Sequence, residues 1–176
     1  MPSYSDLLRG DNDAKNMGGT KITLYYADWN DIATHAAIGT ITNPEDKYIY
    51  TTAPVFKSGK KWQKIEVALH SGKLTVESIG ETDGKAFNIK PTFSIPLSNK
   101  KALPLFNSPN GIWVFGIPLA NGNTVLVGNA DFPAELKPSA DGGDNKGNGG
   151  MFNFEIDCYT PELFFYTGAF VLTPAA

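Results

Sequence analysis

The residues able to act as nucleophiles, bases or metal ligands are sparse. The two histidines are His35 and His70, and the single cysteine is Cys158. His70 stands beside Ser71-Gly72, on the polar side of a turn pattern. A solvated turn histidine is the plainer reading there than a catalytic base. His35 lies in "DIATHAAIGTITN" with no nucleophile-elbow motif nearby, so nothing in the sequence supports a Ser-His-Asp triad. Two histidines and one cysteine fall short of a structural zinc site. The run "DGGDNK" offers Asp141, Asp144 and, just beyond it, Asn148 to calcium. It lacks the alternate ligand positions, central glycine and distal glutamate of an EF-hand loop. A solvated Gly-Asp loop is the better reading, and "GDNDAKN" at residues 10–16 reads the same way. No catalytic residue, cofactor or metal ligand is assigned.

Lys57, Lys60, Lys61 and Lys64 cluster around Ser58-Gly59. Such a run can meet phosphate, but a solvated hairpin tip accounts for it more simply. Arg9 is the only arginine among 15 basic residues. Specific base readout leans on the arginine fork, so it is not expected. Aromatic residues reach 12%. Stacking platforms for single-stranded nucleic acid use such rings, but here no arginine is interleaved with them. Core and subunit contacts are the expected use.

These side chains need a scaffold, and composition bounds it. The chain has 176 residues, 41% hydrophobic and 19% charged, with a net charge of −3. That reads as one globular domain with no strong steering of a partner. One cysteine excludes an intramolecular disulfide and fits a reducing cytoplasm. The longest apolar runs fall well short of the roughly 18 residues of a membrane span. Residues 1–20 are polar, lack an apolar signal-peptide region and end in Gly18-Gly19. They are expected to form a flexible arm, with residues 21–176 as the single domain.

Within that domain the patterns are those of strands. "KITLYYADW" alternates Ile22, Leu24 and Tyr26 against Thr23, Tyr25 and Ala27. "DIATHAAIGTITN" suits a helical turn followed by a short strand, and "KYIYTTAPVF" a strand. "WQKIEVALHSGKLTVESIG" predicts a hairpin, with Ile65, Val67 and Leu69 on one face, a tight turn at Ser71-Gly72, and Leu74 and Val76 resuming the apolar face. "ETDG" is turn chemistry, and "KAFNIKPTFSIP" a strand placed at an edge or bulge by Pro91. "PLSNKKALPLFNSPNG" predicts one short helix capped by Ser98 and restricted by Pro104. "GIWVFGIPLANGNTVLVGNADFPAEL" is a second hairpin, apolar on both faces and turning at Asn121-Gly122. Residues 138–150, "PSADGGDNKGNGG", predict a mobile Gly-rich loop. "MFNFEIDCY" alternates Phe152, Phe154, Ile156 and Cys158 inward against Asn153, Glu155 and Asp157 outward. "ELFFYTGAFVLTP" closes the chain as an aromatic strand whose second face is covered within the fold or by another subunit. The sum, roughly eight to ten strands with turn signals between them, is an all-β, mainly antiparallel sandwich or barrel.

Taken in order, these stretches resemble the tail-tube (major tail) proteins of tailed bacteriophages. The likeness runs through "NMGGTKITLYYA", the Lys-rich "FKSGKKWQKIEVALHSGKLTVES" with "GETDGKAF", "GIWVFGIPLANGNTVLVGN", the Gly-rich loop and "FEIDCYTPELFFYTG". The long Gly-Asp loop departs from compact members. The resemblance implies a structural virion protein of the tail, made in the host cytoplasm, with no enzymatic activity or cofactor. It implies homo-oligomeric rings, commonly hexameric, joined through sheet edges and stacked through loops and arms. Tape-measure and other tail proteins are the implied partners, with genomic DNA passing non-specifically through the lumen. On this basis the assembly candidates are Met17, Gly18 and Gly19 in the arm, Lys57, Lys60 and Lys61, Asp83 at the "ETDG" tip, Pro91 as a limiter of pairing, and Phe164 and Tyr166 in the closing strand. Glu66, Glu77, Glu155 and Asp157 are the acids that could line the lumen and repel phosphate. Other readings are a capsid decoration, neck or tail-terminator protein, or a glycan- or small-ligand-binding sandwich using Trp29 and Trp62.

Overall fold

The computed structural model describes residues 16–176. Most of the expected arm, residues 1–15, lies outside them. The described chain is all-β with one short helix. Its main sheet has two halves. The first runs in the order β11 (Ala134–Gly143), β12 (Gly149–Thr160), β8 (Ala86–Pro96), β7 (Lys73–Ile79). The second runs in the order β6 (Gln63–Glu66), β1 (Thr23–Asp28), β9 (Ile112–Pro118), β10 (Thr124–Val127), β13 (Phe165–Tyr166), β4 (Ile49–Thr52), β3 (Ala37–Ile38). Every pairing is antiparallel except β13 with β4. A separate two-stranded sheet joins β2 (Ile32–Thr34) to β5 (Val55–Phe56).

The halves are joined through β9. On one side it pairs with β1, and on the other first with β10 and then with β11. Between β10 and β11 the chain leaves the ladder at residues 128–133. Gly128 starts the excursion at φ +95, where an added Cβ would lie 2.7 Å from the Trp113 carbonyl oxygen. Asn129 then closes it, its Oδ1 accepting from the backbone N–H of Asp131 (3.0 Å) and Phe132 (2.9 Å). This irregularity lets one strand path belong to two packed layers.

Two cores result. The larger lies between the halves, with Leu24, Ile65, Ile89, Phe93, Phe115, Ile117, Val125, Phe154 and Ile156 among its members. The smaller lies on the other face of the second half, where Ala27, Ile32, Phe56, Trp62, Val114, Leu126 and Tyr166 meet. β1, β9 and β10 serve both cores, so their residues are apolar on both parities. That is what the two-faced aromatic pattern of "GIWVFG" encodes, and the hairpin turning at Asn121-Gly122 forms as its sequence predicts. The inward set Phe152, Phe154, Ile156 and Cys158 is buried as its alternation predicts.

Several expectations are corrected. The hairpin over residues 62–80 does not form: β6 pairs with β1 and β7 with β8. The segment is a corner between layers, where Ala68 N–H donates to the Ser94 carbonyl at 2.8 Å and His70 turns at φ +61. The hairpin partner of β7 is β8, through the "ETDG" turn. Pro91 is not at an edge, because β8 lies between β12 and β7. The ladder to β12 skips positions 90 and 91 and resumes unshifted, so the missing N–H is accommodated without a bulge. Residues 138–150 are not a loop. β11 and β12 continue through them, and only residues 144–148 form the turn. Glycine and aspartate carry little side-chain preference for a strand, but the ladder to an apolar partner supplies the order that composition does not. The helix reduces to a 3-10 turn, Lys100–Ala102, and α1 (Leu103–Phe106), capped by Asn99 rather than Ser98. "KYIYTTAPVF" splits into β4 and β5. The closing strand is only β13, followed by an extended tail held by Trp62 N–H to the Val171 carbonyl (3.3 Å) and Ala175 N–H to the Lys60 carbonyl (2.9 Å).

Candidate assembly surface

The first half-sheet has two open margins. Among the described residues β7 pairs only with β8. β11 pairs with β9 only at Ala134 and Glu135, so from Leu136 to Gly143 its second side meets no strand among the described residues. The margins lie at opposite ends of one four-stranded sheet. One face of that sheet covers the larger core; the other is polar and solvent-facing except around the buried Asn88 and Asp157.

The open face follows from strand alternation. Lys73, Thr75 and Glu77 come from β7, and Asn88, Lys90, Thr92 and Ser94 from β8. β12 adds Asn153, Glu155, Asp157 and Tyr159, and β11 adds Glu135, Lys137 and Ser139. Charges of both signs are paired across strands: Lys90 Nζ lies 3.3 Å from Glu77 Oε2, and Lys137 contacts Asp157 Oδ2. Ser94 donates to Asn153 Oδ1 at 2.7 Å. The Lys90 ammonium is held above its usual value mainly by the Glu77 hydrogen bond, and Lys137 by that of Asp157.

Three of the four acids read as lumen candidates, Glu77, Glu155 and Asp157, therefore share one face. Glu66 does not join them, since it sits on β6 opposite Thr23. Asp157 also departs from its expected exposure. It is 1% exposed, in an inner strand, flanked by Asn88 and covered by Lys137. Burial, the largest influence, pushes its carboxyl up. The hydrogen bonds from Lys137 and Asn88 and the charges of Lys137 and Lys90 outweigh it, and the net shift is downward.

A second feature is an apolar groove of about 770 Å³ at the layer corner. Met17, Ile22 and Leu69 stand along it 69%, 51% and 70% exposed. Gly18 and Gly19 line it too, and their stretch is pinned where Lys21 N–H donates to the Pro118 carbonyl (2.8 Å) and Ala120 N–H to the Gly19 carbonyl (3.0 Å). Alternation of Ile22 with Leu24 hid this patch, because it placed Ile22 in the core.

The remaining candidates fall elsewhere. Lys57 Nζ donates to the Asn30 carbonyl at 2.5 Å and Lys60 pairs with Asp31 at 3.1 Å, so both are engaged within the chain. Lys61 lines a separate hollow with Tyr26 and Trp113. Asp83 is exposed at φ +68 in the β7–β8 turn. Pro91, Phe164 and Tyr166 are buried by the chain itself and offer nothing to a neighbour. The second face of the closing strand is thus covered within the fold. Trp62 is 1% exposed, and Trp29 donates its indole N–H to the Asn129 carbonyl at 2.9 Å, so neither is an open ring platform.

The groups capable of chemistry are dispersed. His35 packs on Trp29 with ring centroids 5.0 Å apart, its pKa lowered by burial against the opposing pull of Asp131. Burial pushes the Cys158 thiol up to about 11. Asp141 and Asp144 accept from the backbone N–H groups of Gly143 and Lys146 and so shape the β11–β12 turn. Among the described residues no three histidine, cysteine, aspartate or glutamate side chains converge as metal ligands. No helix among them is long and apolar enough to cross a membrane. Sequence reading missed Asn88 and Lys137, the two partners of Asp157. A polar residue inside an alternating strand was their only signal.

The architecture is that of an all-β sandwich. No family model, curated protein or solved structure matches the chain.

Proposed function

We propose that the chain is a structural subunit that assembles with copies of itself into rings and a tube, as the tail-tube proteins it resembles do. The observation that carries this reading is the pair of open margins, β7 and the outer side of β11, on one four-stranded sheet. A sheet open at both ends is continued by a second copy at either end, and head-to-tail repetition closes into a ring if the rotation permits. Since its inner face is covered by the chain's own core, the open face would line the enclosed channel. Two of its three lysines, Lys90 and Lys137, are matched by acids there, which lowers the free positive charge that a passing polyanion meets. Pro138 has no N–H, so a strand added to β11 finds donors only to either side of it. No catalytic step belongs to this reading.

Electron micrographs of the concentrated protein test it, with rings or tubes as the expected outcome. Hydrogen exchange adds a local readout: amides of β7 should slow as concentration rises. A protein that stays monomeric at the highest attainable concentration, with β7 exchange unchanged, would sink the proposal.

A further inference from the structure

In that assembly reading Asp157 only balances Lys137, yet it is among the most buried polar side chains of the described residues. It lies on β12 between two polar neighbours on flanking strands. From β8, Asn88 Nδ2 donates to Oδ1 at 3.2 Å. From β11, Lys137 reaches diagonally so that its ammonium rests on Oδ2. The Asn88 side-chain oxygen is itself buried without a partner, which leaves the amide oriented by its donated bond alone. Around the trio stand Glu135, directly opposite Asp157, Glu155, directly opposite Lys137, and Lys90 with its partner Glu77.

We propose that Lys137 and Asp157 condense to an intramolecular isopeptide bond that staples β11 to β12. The pair holds every atom the reaction needs. One proton passes from Nζ to the carboxylate within the contact, giving a neutral amine and a neutral acid without exchange with solvent. The Nζ lone pair then adds to Cγ. Negative charge develops on Oδ1, where the Asn88 amide already donates. Collapse expels Oδ2 as water, carrying two of the three ammonium protons, and the third remains on the amide nitrogen. No oxidant, metal or co-reactant enters.

Two physical terms favour the step. The ion pair itself favours the charged forms, so the first proton transfer is uphill, but condensation then removes both charges, and with them the desolvation cost of the buried carboxylate, at once. Holding the two groups in contact replaces a bimolecular encounter, with effective molarities of about 10⁵ M or more in well-oriented systems. The bond would secure β11 where it needs it, along the stretch from Leu136 onward that is paired on one side only.

Intact mass spectrometry of the denatured wild-type chain decides the matter. Its mass is expected to fall short of the sequence value by one water, whereas Lys137→Arg should match its own sequence value. Trypsin gives the location. Cleavage follows Lys101 and Lys146 but not Lys137, which precedes Pro138, so Lys137 falls in fragment 102–146 and Asp157 in fragment 147–176. The two should be recovered joined under reducing conditions. A wild-type mass equal to the sequence value overturns the proposal. So does loss of ammonia with fragment 102–146 joined to fragment 86–100, since the acyl donor would then be Asn88.

Discussion

The four-stranded half and the region around the smaller core are ordered by different means. β8, β11 and β12 contain 11, 10 and 12 residues, and long backbone ladders align them. β2, β3, β5 and β13 contain two or three residues each, too few to hold a register by backbone bonds alone. Rings do that work in the second region. Tyr25 stacks on Phe170 with centroids 3.9 Å apart, and Trp62 meets Phe56 and Phe170 edge-on at 5.6 and 5.2 Å. The difference has a consequence. In the ladder region a side chain can be lost and the strand still has its partners, whereas in the ring region the side chains are what the strands are held by.

The largest expected effect tests that contrast directly. Trp62→Ala removes a fully buried indole that joins β5, β6 and the C-terminal tail, and should cost about 3–5 kcal/mol in urea unfolding. Amides of β2 and β5 should lose exchange protection before those of β8 and β12. Equal loss across both regions would erase the distinction. The second test lies at the junction. Gly128→Ala must hold φ near +95 with its Cβ against the Trp113 carbonyl, and should cost about 1–3 kcal/mol. Cys158 reports the same event. Its thiol is buried, raised to about 11, and should resist a thiol reagent at pH 8 in the native wild type. It should label faster in Gly128→Ala and fully in urea. Rapid labelling of the native wild type would show that the junction opens freely.

The same contrast explains what the sequence disclosed. Strands of the four-stranded half bury one face, and period-two alternation wrote them plainly: Phe152 to Cys158 inward, and Ile89, Phe93 and Ile95 likewise. The second region was legible as β-rich but not as elements. Strands of two or three residues are shorter than one cycle of any usable pattern, and aromatic residues on both parities signal two cores without saying which ring meets which. The partner of β7 was misread for a related reason. Regular alternation on each side of the Ser71-Gly72 turn signal looks like two strands of one hairpin, but it spans a corner between layers, and local pattern carries no information on which layer a strand enters. The Gly-Asp stretch failed differently, since β11 there takes its order from β12 rather than from its own side chains. Of the assembly surface, the acids Glu77 and Glu155 were visible as outward positions, and the open margins were not, because a margin is a property of pairing.

The smallest expected effect is a pH dependence confined to the ring region. His35 packs on Trp29, and burial, opposed by Asp131, holds its pKa below the ordinary value of about 6.5. The folded state therefore binds the imidazole proton less readily than the unfolded chain. As pH falls through about 6.5 toward the lower folded value, the unfolded state takes up more protons, and stability must decline. Above that window both states carry a neutral ring and the contribution is constant. The urea midpoint should thus drop between pH 8 and pH 5.5 in the wild type and drop less in His35→Gln, with protection lost at β2 before β12. An identical drop in the two proteins would assign the pH sensitivity to other groups and leave the ring region no weaker in acid than the ladder region.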